Sequence, residues 1–473
     1  MIRTSLRGYQ QIAFDRAIEY DGFCLLPEQR TGKTLISLSL VDRRKPDLLF
    51  IMCPLKAIKV WQDQIAKHLV LDWDCEIIIE NYEQYTRSPK DRRRIKGYLK
   101  RRIKKGQTFY VIADEGHRIK KRGSATSTFL RSLGRIATWR LLLTGTPIAQ
   151  GIQDAWALFD FIMPGIFGKY EEFAESYLRF GGWQMRQIIG YRRLQAFNKI
   201  FHRYSYRITL REARKSEGQN SAKIYRKKIM VKLDSTSRAI YDELSESLSA
   251  EVNGTIVSTP LMMTLTGKLQ QLCGGYLVHS IKVPGKKKKN YEIIPVGQEK
   301  IKALIGLLTK LGNRKIVICV RYKHEIKNLA ELMVDLKKSY KIIAGGVDFD
   351  GVFDTQIVIL QVASGVAIDL AESNSYIFYS WDFSHINHEQ SKFRVQSFDT
   401  AQVNYWYLIC EDTVDEDIYM STVKKRNLAT LICDRYRRDR DGSSEDRQDD
   451  RREVSKSEGR NKEVDSKTHK RGS

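Results

Sequence analysis

At 473 residues the chain is long enough for two to four domains, each with its own core. Its 42% hydrophobic and 29% charged residues are those of a soluble globular protein, and no apolar run approaches the roughly 20 residues that span a bilayer. The 7 cysteines are scattered without CxxC spacing, which argues against disulfide and zinc scaffolds and for a reducing, intracellular compartment.

In chain order, the opening MIRTSLRGYQQ lacks the apolar core of a signal peptide. Phe23-Cys24-Leu25-Leu26 then runs into PEQRTGKT (27–34) and a helical continuation, LISLSLV. Strands are predicted at Leu48–Cys53, Phe109–Ala113 and Leu141–Leu143. A helix is predicted over Ala57–Leu69, with Ile58, Trp61, Ile65 and Leu69 at helical spacing. Strands alternating with helices predict a parallel α/β sheet, which binds ligands where its strands end. Region 165–299 differs: it is aromatic and basic with a helical pattern, and PGKKKKN (284–290) reads as a loop. The alternation returns at Lys315–Val320, Ile342–Ala344, Gln356–Val362, Tyr376–Ser380 and Val403–Cys410. HINH (385–388) has no nearby residues to complete a metal set and reads as structural.

From Arg437 onward there is no Leu, Ile, Phe, Tyr or Trp, so a disordered tail is predicted. That tail holds 12 Lys/Arg against 10 Asp/Glu, so most of the net charge of +25 lies on the folded part. A basic surface of this size suggests a polyanionic partner, nucleic acid above all.

Three motifs carry chemistry. In Gly32-Lys33-Thr34 the backbone N–H groups at a helix start favour phosphate, the lysine reaches β/γ-phosphates, and the threonine hydroxyl can ligate Mg²⁺. Alone, the tripeptide is equally a chance occurrence. FYVIADEGH (109–117) is an apolar strand ending in two carboxylates, where Asp114 could hold the metal shell and Glu115 activate the attacking water. LLLTGTP (141–147) is another strand, running into a hydroxyl-rich turn. All three in this order within 150 residues are improbable by accident.

With these motifs the chain resembles the Swi/Snf-type DNA-dependent ATPases of helicase superfamily two, over about residues 5–430. LRGYQ (6–10) is similar to that family's adenine-side motif, PEQRTGKT to its first motif, and MCPLKAIKVWQDQI (52–65) to the next. DEGHRIKKRGS (114–124) resembles its DEAH box and LLLTGTPIAQ (141–150) its third motif. SGVAIDL (364–370), HEQSKFR (388–394) and DTVDEDIYMSTVKKRNL (412–428) resemble motifs of its second half. The departures are Arg30 where glycine is usual, Ser364, Ala367 and Asp369 for two glycines and an asparagine, and Ser397 for the second of two arginines.

The resemblance implies two RecA-like α/β domains, 1–164 and 300–434, flanking a helical, basic insertion at 165–299, with a charged tail from 435 to 473. It implies ATP and Mg²⁺ in the cleft. Gln10 would read the base; Thr31, Gly32, Lys33 and Thr34 would hold phosphates; Thr34 and Asp114 would hold the metal. Glu115 would polarise water, and Arg394 would cross from the second domain to stabilise transferring charge. The implied partner is DNA, duplex more than single-stranded, engaged by a monomer. DRRRIKGYLKRRIKK (91–105) and RYSYRITLREARK (203–215) combine Arg/Lys with Tyr as phosphate-tracking surfaces do. A solvated helix face explains either one alone. The expected activity is ATP-driven translocation on, or remodelling of, DNA in a compact bacterial or phage-type cytoplasmic enzyme. A nucleotide-gated DNA-binding protein with weak turnover is the alternative.

Overall fold

The computed structural model describes residues 1–148, 151–247, 249–252, 255–258, 262–281, 290–345, 353–362 and 369–424. The expected charged tail, the lysine run at 286–289, most of SGVAIDL and the end of the closing motif lie outside the described residues.

Two six-stranded, all-parallel sheets organise the chain, as expected of paired RecA-like units. The first contains β1 (Gly22–Leu25), β2 (Leu48–Cys53), β3 (Glu76–Asn81), β4 (Phe109–Asp114), β5 (Trp139–Leu143) and β6 (Ser205–Tyr206), in spatial order β3-β2-β4-β5-β1-β6. Helices α1 (Gly8–Ile18), α2 (Lys33–Arg44), α3 (Ala57–His68) and α4 (Pro89–Lys104) belong to this unit. A parallel sheet covered on both faces needs strands that are apolar throughout. In β2, Leu48, Phe50 and Met52 enter one core while Leu49, Ile51 and Cys53 enter the other.

The second sheet contains β7 (Lys223–Val231), β8 (Ile316–Val320), β9 (Tyr340–Ile343), β10 (Ile357–Gln361), β11 (Ser375–Phe378) and β12 (Gln402–Cys410), in the order β9-β10-β8-β11-β12-β7. Ile316, Ile318 and Val320 of β8 face one core; Val317 and Cys319 face the other. Helix α5 (Glu299–Leu311) contributes Lys300, whose Nζ lies 2.5 Å from Asp415 Oδ2, both side chains being 1% exposed. His388 is buried too, its Nε2 3.2 Å from Tyr407 Oη, which fits a structural part for HINH.

Region 165–299 carries the expected helices, at Tyr170–Tyr177, Leu194–Arg203, Leu210–Ser216, Ser235–Ser247 and Met262–Cys273, but it is not helical throughout. Two of its segments, β6 and β7, are members of the flanking sheets. Antiparallel hairpins pair Leu178–Gly181 with Gln187–Tyr191, and Tyr276–Ile281 with Asn290–Pro295. The physical reason is composition: β7 is an edge strand with a largely exposed, Lys/Arg-rich surface, so it lacks the apolar run that marks an interior strand.

The two units touch beside α1. Tyr9 stacks on Phe398 with ring centroids 6.1 Å apart, and the Arg7 guanidinium lies 3.7 Å above the Phe398 ring. An Arg214 guanidinium nitrogen also donates to the Ser397 carbonyl.

Candidate functional site

Strands β4, β5 and β1 are neighbours in the first sheet, so their carboxyl ends lie side by side. The 27–32 loop leaves β1 and turns into α2 through Gly32, at φ +77°. Its close neighbour is Gln10: a Cβ at position 32 would stand 2.3 Å from Gln10 Nε2. Only glycine suits both the backbone and that approach. Tyr9 Oη and Gln10 Nε2 each donate to the Thr31 carbonyl at 3.0 Å, and Thr31 Oγ1 donates to the Glu28 carbonyl at 2.6 Å.

Behind the loop runs the 204–208 segment. Leu26 N donates to Tyr206 O at 2.8 Å and Glu28 N to Ile208 O at 2.9 Å, while Leu210 N donates to Glu28 Oε2 at 2.9 Å. RYSYRITLREARK therefore divides: Arg203, Arg211 and Lys215 are exposed, as a DNA-tracking surface requires, and the rest is not. Tyr204, Arg207 and Arg214 are buried, and the stretch braces the loop and reaches the second unit. In contrast, α4 keeps Arg93, Arg94, Lys100, Arg101 and Lys104 exposed.

Lys33 is the first residue of α2, and its Nζ donates to the Pro27 and Glu28 carbonyls at 3.0 Å each. Burial pushes its pKa down, opposed by Glu115, Asp114 and Glu28. Thr34 follows in the same first turn, half-buried. Gln10 is 5% exposed, and besides its bond to Thr31 its Oε1 accepts from Arg7 N at 2.9 Å. One donor and one acceptor of this amide thus brace the loop, which leaves its second N–H and second lone pair for a base.

At the end of β4, Asp114 is oriented from two sides. Trp61 Nε1 donates to its Oδ2 at 2.9 Å, and Tyr82 Oη donates to its backbone carbonyl at 2.6 Å. Burial and the neighbouring Glu115 push its carboxyl up to about 6, against the pull of Trp61 and Lys33. Glu115 sits at φ +51°, in the left-handed region, which is costly for a residue with a Cβ and turns its side chain out of the strand line. Burial opposes its charge, but His117, Lys33 and Arg394 together hold its pKa below the usual carboxylate value. His117 Nδ1 stands 3.2 Å from Glu115 Oε2 and 3.4 Å from Thr144 Oγ1. The imidazole thus joins the DEGH turn to the TGTP turn after β5.

The second unit supplies Arg394, 7% exposed, from the short 3₁₀ turn Phe393–Val395. Burial, then Arg30, push its pKa down to about 10, while Glu115 pulls the other way. It remains a cation at neutral pH. Among the described residues, Arg394 Nε is buried with no hydrogen-bond partner, whereas Glu115 Oε2 has only the His117 imidazole beside it. Such atoms cost stability unless a ligand or water completes them. A buried ammonium, a carboxylate pair, a threonine hydroxyl and an unsatisfied guanidinium form a donor set that fits a metal-bound nucleoside triphosphate.

Sequence reasoning brought Lys33, Thr34, Asp114 and Glu115 to one place and Arg394 to its rim. It treated Trp61 only as an apolar helix residue and did not select His117 or Arg207. Arg207 lies beside Gly145, donating to its carbonyl at 3.4 Å, and adds positive charge near Lys33. The VWQ and DEGH motifs held a signal for the first two; Arg207 had none, because its neighbourhood comes from the pairing of β6 with β1.

The chain is 21% identical over 386 residues to ISWI chromatin-remodeling complex ATPase ISW2 of Saccharomyces cerevisiae, covering 78% of this chain and 33% of that protein. It is 23% identical over 486 residues to DNA repair and recombination protein RAD54B of Gallus gallus, covering 87% and 52% respectively. The chain thus spans about half or less of the length of these relatives. A solved Sulfolobus solfataricus SWI2/SNF2 ATPase core in complex with dsDNA aligns at 19% identity and a TM-score of 0.39, over 91% of this chain and 94% of that one. Residues 21–275, more than half of the chain, match the SNF2-related domain, and the protein belongs to that family.

Proposed function

We propose that this protein is a DNA-dependent ATPase that couples ATP hydrolysis to movement on, or remodelling of, DNA. The observation that carries the reading is the meeting of Lys33, Asp114 and Glu115 of one unit with the buried cation Arg394 of the other. Lys33 exchanges its two carbonyl partners for phosphate oxygens. Glu115, kept ionised by its neighbours, accepts a proton from the attacking water, with His117 fixing the carboxylate against Thr144. Arg394 neutralises charge on the transferring phosphoryl group, in a site dry enough to strengthen that interaction. Mg²⁺, held by Thr34 and Asp114, would supply further neutralisation of the phosphates.

DNA as the partner is supported by the net charge of +25, the exposed cations of α4, and relatives that include a DNA repair and recombination protein. The reading extends to duplex DNA bound by a monomer, in keeping with the resemblance of the motifs. A weak-turnover, nucleotide-gated binder, which Ser397 in place of a second arginine would suggest, is the less favoured reading, because Lys33, Asp114, Glu115 and Arg394 all support turnover.

The test is ATP turnover with and without duplex and single-stranded DNA. Duplex should stimulate most. Glu115→Gln should bind ATP and stall, and Arg394→Ala should lose on the order of 10³-fold in turnover with little change in nucleotide affinity. Turnover indifferent to DNA would overturn the proposal.

A further inference from the structure

Arg30 has a conformation and a set of contacts that nucleotide binding by the loop does not require. Its φ is +66°, in the left-handed region that favours glycine, yet it carries a long cationic side chain. That side chain leaves its own unit. Nε donates to Phe393 O at 3.1 Å, Nη2 donates to Arg394 O at 3.3 Å, and Nη1 lies 2.9 Å from Asp369 Oδ2. The two carbonyls belong to the peptide groups on either side of the Arg394 Cα. The 369–370 segment is tied to the same place, because Leu370 N donates to Arg394 O at 2.9 Å. One planar fork therefore holds the backbone that aims Arg394, and it is anchored in the loop that begins α2.

We propose that Arg30 is a positioning residue that fixes Arg394 relative to the 27–32 loop, so that the loop of the first unit sets where the cation of the second unit stands. The inference rests on the ATPase reading above for its kinetic consequence, but not for its structural one. A guanidinium suits the task because its donors lie in one rigid plane, whereas an ammonium is a single point. Strain at position 30 is consistent with a contact that outweighs it.

The experiment uses the full chain with Arg30→Gly, Arg30→Lys and Asp369→Asn, and reads two quantities. The first is the distribution of distances between spin labels on the two units without nucleotide. The second is kcat and KM for ATP with saturating duplex. Glycine tolerates the left-handed backbone, so Arg30→Gly keeps the loop's path. It should broaden the distance distribution and, since misplacing a reacting group by about 1 Å costs on the order of 10²-fold, lower kcat by about that factor while KM moves less than about threefold. Arg30→Lys should recover only part of kcat. Asp369→Asn, with the two carbonyl bonds intact, should lose less than Arg30→Gly. An unchanged distance distribution and kcat in Arg30→Gly would overturn the proposal, as would full recovery by lysine. If the wild-type chain showed no turnover, the ATPase reading would fall, and the distance measurement would still decide whether Arg30 joins the units.

Discussion

Replacing Gly32 by alanine tests the loop geometry with a single methyl group. The residue has φ +77°, where an L side chain costs roughly 1–2 kcal/mol. The added Cβ would also stand 2.3 Å from Gln10 Nε2, so the amide must retreat by about 1 Å or more, and its 3.0 Å bond to Thr31 O is lost. A hydrogen bond of this kind contributes about 1 kcal/mol. Together the two effects disfavour the observed loop by about 2–3 kcal/mol, or roughly 30- to 150-fold in nucleotide affinity if binding needs that loop. Titration with a fluorescent ATP analogue reads the affinity, and thermal melting checks that the rest of the unit is intact. Made in a Gln10→Ala background, where the clash is absent, Gly32→Ala should cost only the backbone part, about 1–2 kcal/mol. Affinity of Gly32→Ala within twofold of wild type would refute the reasoning. Equal losses in both backgrounds would remove Gln10 from it.

Lys300→Met leaves Asp415 buried without its cation and should destabilise the second unit by about 3–5 kcal/mol in urea unfolding, while Lys300→Met with Asp415→Leu should recover much of the loss. Burial opposes the charge of Lys300, but Asp415 outweighs it and raises the pKa. From neutral pH up to the unfolded lysine value of about 10.4 the ion pair's contribution should therefore be complete, and it is lost as pH rises through the higher folded value. Asp114, whose folded pKa is also raised, has the same sign at lower pH. With its folded pKa raised to about 6, it makes the nucleotide-free protein hold an extra proton, so stability falls as pH climbs from about 4 to 6. The indole N–H resonance of Trp61, which donates to Asp114, should shift with a midpoint near that pH and stop shifting in Asp114→Asn; a Trp61 signal already flat in wild type would contradict the assignment.

Interior strands were legible because a doubly covered parallel strand must be apolar on both faces; Leu48–Cys53 falls where its run predicts. The phosphate loop and the carboxylate pair were legible for a related reason, since each follows such a run directly. Edge strands broke the rule. Ser205–Tyr206 is too short to show a pattern, and Lys223–Val231 looks like a solvated basic segment because that is what its outer surface is. Arg214 read as part of a DNA-facing stretch, whereas its guanidinium is spent on the Ser397 carbonyl of the other unit. Contacts across 180 or more positions leave no local periodicity to find. Arg30 was legible as a departure from the expected glycine, but its reach to Phe393 and Asp369 was not.

The pairing of β7 with β12 also imposes a delay on biosynthesis. Lys223–Val231 leaves the ribosome about 180 residues before its partner Gln402–Cys410 is complete. At about 5–20 residues per second, that is a wait of roughly 10–35 s with both sides of a nine-residue strand unpaired. A strand of ordinary apolar composition would be a nucleus for association with other nascent chains during that interval. Lys223, Arg226, Lys227 and Lys228 make this one repel its own copies until the C-terminal strand arrives to accept it.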